Sequence, residues 1–523
     1  MIEHFPLMLA LVIAIVLLIM LANKIKVAYP VLLVVAGLLI NLIPGMPVIH
    51  VDPKFIFFIV LPPLLYEAAW AISWKELWRW RRIIFSFAFV VVFLSAMTVA
   101  FAANIFIPGF TLALGFLLGG IVSPPDAVSA SAILKFVKVP KRMSSILEGE
   151  SLLNDASSLI IFRFAMITVG TGQFIWQNAA LSFGWMMIGG VGTGLIVGLI
   201  FMKVHKYFPT DANMDIILTL ITPYIMYMVA EEIHGSGVLS VVSGGLLLAN
   251  NNQRFLNATS RVRAINVWSS LVFLLNGMVF LLIGLDLPEI TSNLGNVSLS
   301  SAIGYGLLIT AVLIVGRIIS AYGAVVVTMI MRNFITVADS RNPGFKVPFV
   351  LGWTGMRGVV SLAAALSIPA YLDNGQIFPQ RNLILFITFI VILTTLIVQG
   401  LTLPYIIKKT RLSELEDNLL EEEADRLIHK ELSQHSARFV TDKHKKMLEQ
   451  NASLQLQMEK WVRKSDSDSL EMTVEIKAIY IDVLNEQRRW LLAKNKADEH
   501  FDEDIIRKHL HRIDIEEERL NLL

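Results

Sequence analysis

Apolar runs of about twenty residues recur along the chain as far as about Pro404, where polar sequence takes over. A run of that length, wound as an α-helix, matches the ~30 Å apolar core of a bilayer. The runs fall at 6–23, 28–43, 53–72, 83–106, 110–137, 143–169, 179–203, 214–233, 236–250, 267–287, 299–331, 347–371 and 382–406, about thirteen spans. From about Leu412 apolar residues recur every third or fourth position inside charged sequence, without a sustained heptad. That pattern predicts water-facing helices at 414–420, 421–432, 447–461 and 471–492. The expected fold is an all-α polytopic membrane protein, with a membrane domain over 1–410 and a helical cytoplasmic tail over 411–523 that regulates or dimerises.

Three spans break the apolar pattern. Span three holds Leu61-Pro62-Pro63-Leu64-Leu65-Tyr66-Glu67; two prolines interrupt the hydrogen-bond ladder and a carboxylate follows near mid-membrane. Span five holds Gly119-Gly120-Ile121-Val122-Ser123-Pro124-Pro125-Asp126. It should be broken, with Asp126 opening a second half-helix whose positive dipole end favours a carboxylate. Span twelve holds Gly352-Trp353-Thr354-Gly355-Met356-Arg357-Gly358-Val359-Val360-Ser361, three glycines around an arginine, and should be loosened too. Spans five and twelve correspond if segments 1–6 and 8–13 are inverted repeats around an odd connecting span.

Span six carries the densest polar pattern, Glu148-Gly149-Glu150-Ser151-Leu152-Leu153-Asn154-Asp155-Ala156. At 100° per residue, Glu150, Asn154, Ser158, Ser151 and Asp155 fall within an arc of about 140°. An isolated acid at mid-bilayer costs at least ~2.5–3.5 kcal/mol. The polar face reads either as a structural pair between helices or as a cation site, and four polar neighbours favour the cation site at Asp155. Arg163, two turns on, reads as snorkelling or locally paired. Arg317 lies near mid-depth in span eleven. The buried acids are then Glu67, Asp126, Glu150 and Asp155, and the buried bases Arg317 and Arg357. Two arginines can balance two acids, and the surplus acidity wants a cation or a proton.

Composition bounds the chemistry. The 523 residues are 55% hydrophobic and 16% charged, with no cysteine. Disulfides, thiolate metal sites and cysteine nucleophiles are excluded. No Gly-rich loop ends in Gly-Lys-Ser/Thr, so nothing suggests a nucleotide-driven pump. Alternate loops are basic: Lys24 and Lys26; Lys75, Arg79, Arg81 and Arg82; Lys138, Lys141 and Arg142; Lys203 and Lys206; Arg254, Arg261 and Arg263; Arg332, Arg341 and Lys346. The positive-inside rule makes these loops cytoplasmic, the N-terminus external and the tail internal, as an odd span count requires. Glu231, Glu232 and His234 then form an external loop that reads as a solvated face, as do Asp286 and Glu289. The Trp70, Trp74, Trp78 and Trp80 cluster reads as an interfacial belt. The glycines at 189, 190, 192, 194 and 198 predict close helix packing. Asp466-Ser467-Asp468 opens like a calcium loop, but Glu471 replaces its glycine and Lys477 its glutamate, so it is rejected. The tail histidines at 429, 435, 444, 500, 509 and 511 read as solvated.

Taken together, these residues resemble the monovalent cation/proton antiporters of the Na⁺/H⁺ exchanger family, in its NhaP-like and NHE-like branch. The resemblance spans the membrane domain. It rests on Gly149-Glu150-Ser151-Leu152-Leu153-Asn154-Asp155, Leu61-Pro62-Pro63-x-x-x-Glu67 and Gly355-x-Arg357-Gly358, in that family's order. It implies thirteen spans, crossing broken helices at spans five and twelve, a homodimer, and Na⁺ bound at Asp155 with Ser151 and Glu67 nearby and Asn154 organising the site. It also implies that Glu150 pairs with a buried arginine, Arg357 or Arg317. Relatives often carry Thr-Asp-Pro in the broken helix where this chain has Pro125-Asp126-Ala127; Ser123 or a free carbonyl could replace the missing threonine.

The function expected is antiport of Na⁺, or of Li⁺ or K⁺, against H⁺ at the plasma membrane (the inner membrane of a bacterium). No cofactor and no nucleic-acid partner are expected; the partners are the cation, the proton, membrane lipid and a second copy of the chain. A cation channel or ion sensor with a signalling tail is the alternative, although a channel favours several weak sites over one dominant acid. An intramembrane hydrolase would need a base beside Ser151, and span six contains no histidine.

Overall fold

The computed structural model describes residues 5–41, 54–134, 137, 139–172, 176–286, 290–291, 294, 297–331, 344–372, 375–412, 421–450, 474–498 and 502–522. Lys138, Glu289, Arg332, Arg341, His500, the helix expected at 414–420, the Asp466-Ser467-Asp468 segment and most of the helix expected at 447–461 lie outside them. The described residues are helical almost throughout, and the helices follow the expected spans in order. They are α1 (Phe5–Ile25), α2 (Tyr29–Ile40), α3 (Phe55–Ala71), α4 (Trp74–Phe106), α5 (Leu112–Val122), α6 (Ala127–Leu134), α7 (Lys141–Thr171), α8 (Trp176–Tyr207) and α9 (Ala212–Glu232). Then come α10 (Gly237–Phe255), α11 (Ala258–Leu285), α12 (Leu299–Met331), α13 (Lys346–Trp353), α14 (Val359–Leu366) and α15 (Arg381–Thr410). Eight of these are long and apolar enough to cross a membrane unbroken. Spans five and twelve are each split, into α5/α6 and α13/α14, as their prolines and glycines require.

The prolines of span three act differently. Pro62 and Pro63 sit at the start of an α-helical stretch, where a missing N–H costs little, and the preceding Phe55–Val60 is wound as a π-helix. The span continues through the prolines. A second π-helical stretch, Ser86–Val91, lies in α4, and the Ala88 carbonyl within it accepts from Ser157 Oγ at 2.5 Å.

Glycines set which helices touch most closely. Those at which an added methyl would come within 3.0 Å of a neighbour sort the spans into three sets. In one, α5 meets α4 at Gly115 and Gly119, α7 meets α5 at Gly120, α12 meets α4 at Gly316, and α13 meets α12 at Gly352. Gly306 joins α15 to this set. In a second, α2 meets α11 at Gly37 and Gly284; in a third, α8 meets the start of α10 at Gly190 and Gly194, and α10 meets α9 and α3 at Gly244 and Gly245. The glycine run of span seven therefore packs as expected at 190 and 194, while Gly192 faces open space. Asp286, read from sequence as solvated, is buried.

The chain divides into two compact units. One comprises Met1–Val204, Ile217–Asn251 and Trp268–Leu415; the other comprises His205–Ile216, Asn252–Val267 and Glu416–Leu523. The second holds α16 (Glu421–Gln450), α17 (Val474–Ala497) and α18 (Glu503–Leu522) around Ile428, Leu484, Leu491, Ile506 and Leu510. Helix α18 was not expected; its charged faces hide a short apolar stripe. Within this unit Arg261 holds Asp514 through Nε at 2.9 Å and Nη2 at 2.5 Å, and Arg488 reaches Asp514 and Glu517. His205 and Ser260 both bond Asp215, all three buried. His509 is not solvated as expected: it is buried, with Nε2 3.0 Å from Asp425.

Two outcomes follow for the second unit. Asp514→Ala leaves Arg261 and Arg488 short of a partner, and losing one member of a buried pair costs about 3–5 kcal/mol. Limited proteolysis of the full chain should then cleave the tail at much lower protease dose. Burial pulls the His509 pKa below its ordinary 6.5, against the opposing pull of Asp425. The unfolded tail thus binds a proton more readily than the folded one. The stability this contributes is complete above about pH 6.5 and lost as pH falls through the lower folded value. Proteolysis should therefore accelerate on acidification, and less steeply in His509→Gln.

Candidate ion-binding site

Two broken spans cross and must satisfy each other's freed backbone. The Asp126 amide, at the break in span five, donates to the Met356 carbonyl at the break in span twelve, at 2.8 Å. Gly358 lies so close that a methyl there would strike the Asp126 carboxylate. Asp126 stands just before α6 and caps it, Oδ1 accepting from Val128 N at 3.2 Å and Oδ2 from Ser129 N at 3.3 Å and from Ser129 Oγ. Its charge thus sits on the end of the half-helix that favours it.

Span six supplies the next layer. Asp155 is fourteen residues from the start of α7, ~21 Å along the axis and close to its midpoint. It is buried and within electrostatic reach of Asp126. Asn154 Nδ2 donates to the Pro125 carbonyl at 2.9 Å, holding α7 against the break. Pro125 and Pro124 leave that region without two amide donors, so the carbonyl needs a side chain, and Asn154 provides one. Ser157 and Ser158 turn their hydroxyls to the Asn154 and Asp155 carbonyls.

Glu150 is fully buried and pairs with Arg317 rather than Arg357. Arg317 Nη2 donates to Oε2 at 2.9 Å, and Nη1 lies 2.8 Å from Oε1 but off the line of a good hydrogen bond. The sequence left the choice of arginine open. Arg357 is also fully buried, its amide donating to Thr395 Oγ1 at 3.2 Å, but its guanidinium has no hydrogen-bond acceptor among the described residues. The charge count of two acids matched by two arginines is therefore realised as one close pair plus a lone guanidinium beside it.

The remaining candidates lie further out. Ser123 is completely buried, with its hydroxyl on the Gly119 carbonyl. Glu67 is half-buried on α3. Sequence reasoning missed Tyr29 on α2, which lies within electrostatic range of both Asp126 and Glu67; a tyrosine starting an apolar run gives no signal of its own. It also missed Thr354 and Ser144. With Asp126, Ser131, Glu148 and Ser151, these line a crevice running from the α7 N-terminal end toward the break. Glu148, at its mouth, is exposed. Among the described residues no group of three His, Asp or Glu side chains could hold a metal ion in an all-protein cage. The site offers one buried carboxylate with hydroxyls and carbonyls near it, a donor set suited to a weakly held monovalent cation.

The family described as sodium/hydrogen exchanger, transmembrane, matches residues 10–409. The chain belongs to the sodium/hydrogen exchanger family. Among its relatives is a sodium, potassium, lithium and rubidium/H⁺ antiporter of Bacillus subtilis, 32% identical over 388 residues that make up 72% of this chain and 57% of that protein. The match thus spans little more than half of that relative. The Na⁺/H⁺ antiporter ApNhaP of Aphanothece halophytica is 34% identical over 73% of this chain and 70% of its own length. The fold is shared with the sodium proton antiporter MjNhaP1 of Methanocaldococcus jannaschii, at a TM-score of 0.61 and 18% identity, covering 78% of this chain and 99% of that one.

Arg317→Ala tests the buried pair. It strands Glu150 in a dry site, at a cost of about 3–5 kcal/mol. The purified variant should unfold at a clearly lower temperature than wild type, and Glu150→Gln/Arg317→Met, which removes both charges, should recover much of the loss.

Proposed function

We propose that this chain exchanges a monovalent cation, Na⁺ with Li⁺ or K⁺ as competing cargo, for H⁺ by competition at Asp155. The observation that carries this reading is the position of Asp155: buried, midway along α7, beside two broken spans whose backbone is already cross-linked by hydrogen bonds. A carboxylate out of water must be neutralised, and either a proton or a partly dehydrated cation does so. One carboxylate does not hold both, so a site that opens to each side in turn trades one for the other. Asn154 fixes the register of α7 on the break, Asp126 stays capped on α6, and the charge of Glu150 is already matched by Arg317. Ser151, Ser123, Glu67 and freed carbonyls are the remaining candidates to complete the cation's shell.

The same reading places the protein in a plasma membrane, or a bacterial inner membrane, with the N-terminus outside and the tail inside, as a homodimer. The tail over 411–523 then regulates a membrane domain over 1–410. Exchange of this kind couples intracellular pH to sodium content.

Asp155→Asn should abolish proton-coupled ²²Na⁺ uptake in proteoliposomes while the protein still folds; undiminished uptake would remove Asp155 from the mechanism. Stoichiometry follows from which groups change occupancy. Asn154 carries no proton, Arg357 stays charged, and Glu150 and Asp126 are engaged. One proton should then exchange for one cation, and clamping the vesicle potential at either sign should leave the rate nearly unchanged. A steep voltage dependence would point to Glu67 as a second titrating acid.

A further inference from the structure

Arg163 and Glu231 stand apart from the site chemistry, yet they join two of the sets of closely packed helices. Arg163 lies on α7, in the set that carries Asp155 and both breaks. Glu231 lies in the last turn of α9, in another set, and is not the solvated loop residue its sequence position suggested. Arg163 Nη2 donates to Glu231 Oε2 at 2.6 Å, and Glu231 Oε1 accepts from the Gly237 amide at 3.2 Å. Glu231 is thereby fixed to the turn that starts α10, and Arg163 clamps α7 to that turn.

The position of the pair matters more than its strength. Arg163 is eight residues beyond Asp155, ~12 Å along α7. The crevice lined by Ser144, Glu148 and Ser151 approaches the break from the other end of the same helix. Along α7, Asp155 therefore lies between the residues that line the crevice, which end at Ser151, and the ion pair at Arg163. Among the described residues, no glycine approach under 3.0 Å links the set of α7 to that of α9, although α7 also touches α3.

We propose that the Arg163–Glu231 ion pair is a latch that closes the site on the side opposite the crevice, which the loop charges make the external side. The latch must part each time Asp155 opens outward. This rests on the exchange reading above. A partly exposed pair is worth at most about 1 kcal/mol, a fivefold bias between states. It suits a contact broken in every cycle, since a stronger one would trap the closed form.

The absence of native cysteine allows a direct test. Arg163→Cys/Glu231→Cys, bridged by a reducible bis-methanethiosulfonate reagent, should lose exchange in proteoliposomes and regain it on reduction. Wild type treated the same way should be unaffected. Exchange at the unbridged rate after verified bridging would overturn the latch. Absence of exchange in untreated wild type would instead overturn the exchange reading. Arg163→Gln and Glu231→Gln supply a second test that does not depend on cysteines. Each should lower the half-saturating external Na⁺ concentration by up to about fivefold, and unchanged values in both would also overturn the proposal.

Discussion

Two helices are broken side by side inside an apolar bundle, and every backbone group they free must find a partner without water. This constraint accounts for Asp126, Asn154 and Thr395. The Asp126 amide uses the Met356 carbonyl, the Pro125 carbonyl uses Asn154, and the Arg357 amide uses Thr395. The first free turns of α6 use the Asp126 carboxylate. The first three of these bonds tie a break either to the opposite break or to an unbroken span. The crossing is thereby rigid although its backbone is irregular, and Asp155 is held beside it by the helix that carries Asn154.

Electrostatics follows from the same geometry. Asp126 is compensated by a helix end and Glu150 by Arg317. Asp155 is set within reach of Asp126, with no basic side chain shown bonded to it. An acid next to another acid in a dry region is the least compensated of the acids on α7, which is why the proposed exchange is placed there. The lone guanidinium of Arg357 lies within electrostatic range of both Arg317 and Glu150. Compensation is thus graded across a few residues of α7, from fully matched at Glu150 to open at Asp155.

Much of this was legible in the sequence, because membrane burial writes strong patterns. Length and apolarity marked the spans; Pro124 and Pro125 and the glycines around Arg357 marked the breaks; helical periodicity put Glu150, Ser151, Asn154 and Asp155 on one face. Periodicity assigns a face, not a neighbour. It could not choose between Arg317 and Arg357 for Glu150, nor connect Arg163 with Glu231, 68 residues away. It also read Glu231 and Asp286 as solvated because both end apolar runs, whereas a span end is wet only if nothing packs over it. In the tail, charge density masked the stripe of Ile506, Leu510 and Ile513 on α18 and the burial of His509.

The tail also shows why a boundary drawn from composition differs from one drawn from contacts. Composition changes once, near residue 411, but Arg261 and Asp215 sit in the first turns of α11 and α9 and bond within the same compact unit as Asp514 and α18. A helix that continues into a membrane span presents the charged residues of its first turn at defined positions. Arg261 makes two bonds to Asp514 and a third to the Leu256 carbonyl. Arg261 belongs by sequence to a basic loop that orients the chain in the membrane, and by contact to the fold of the tail.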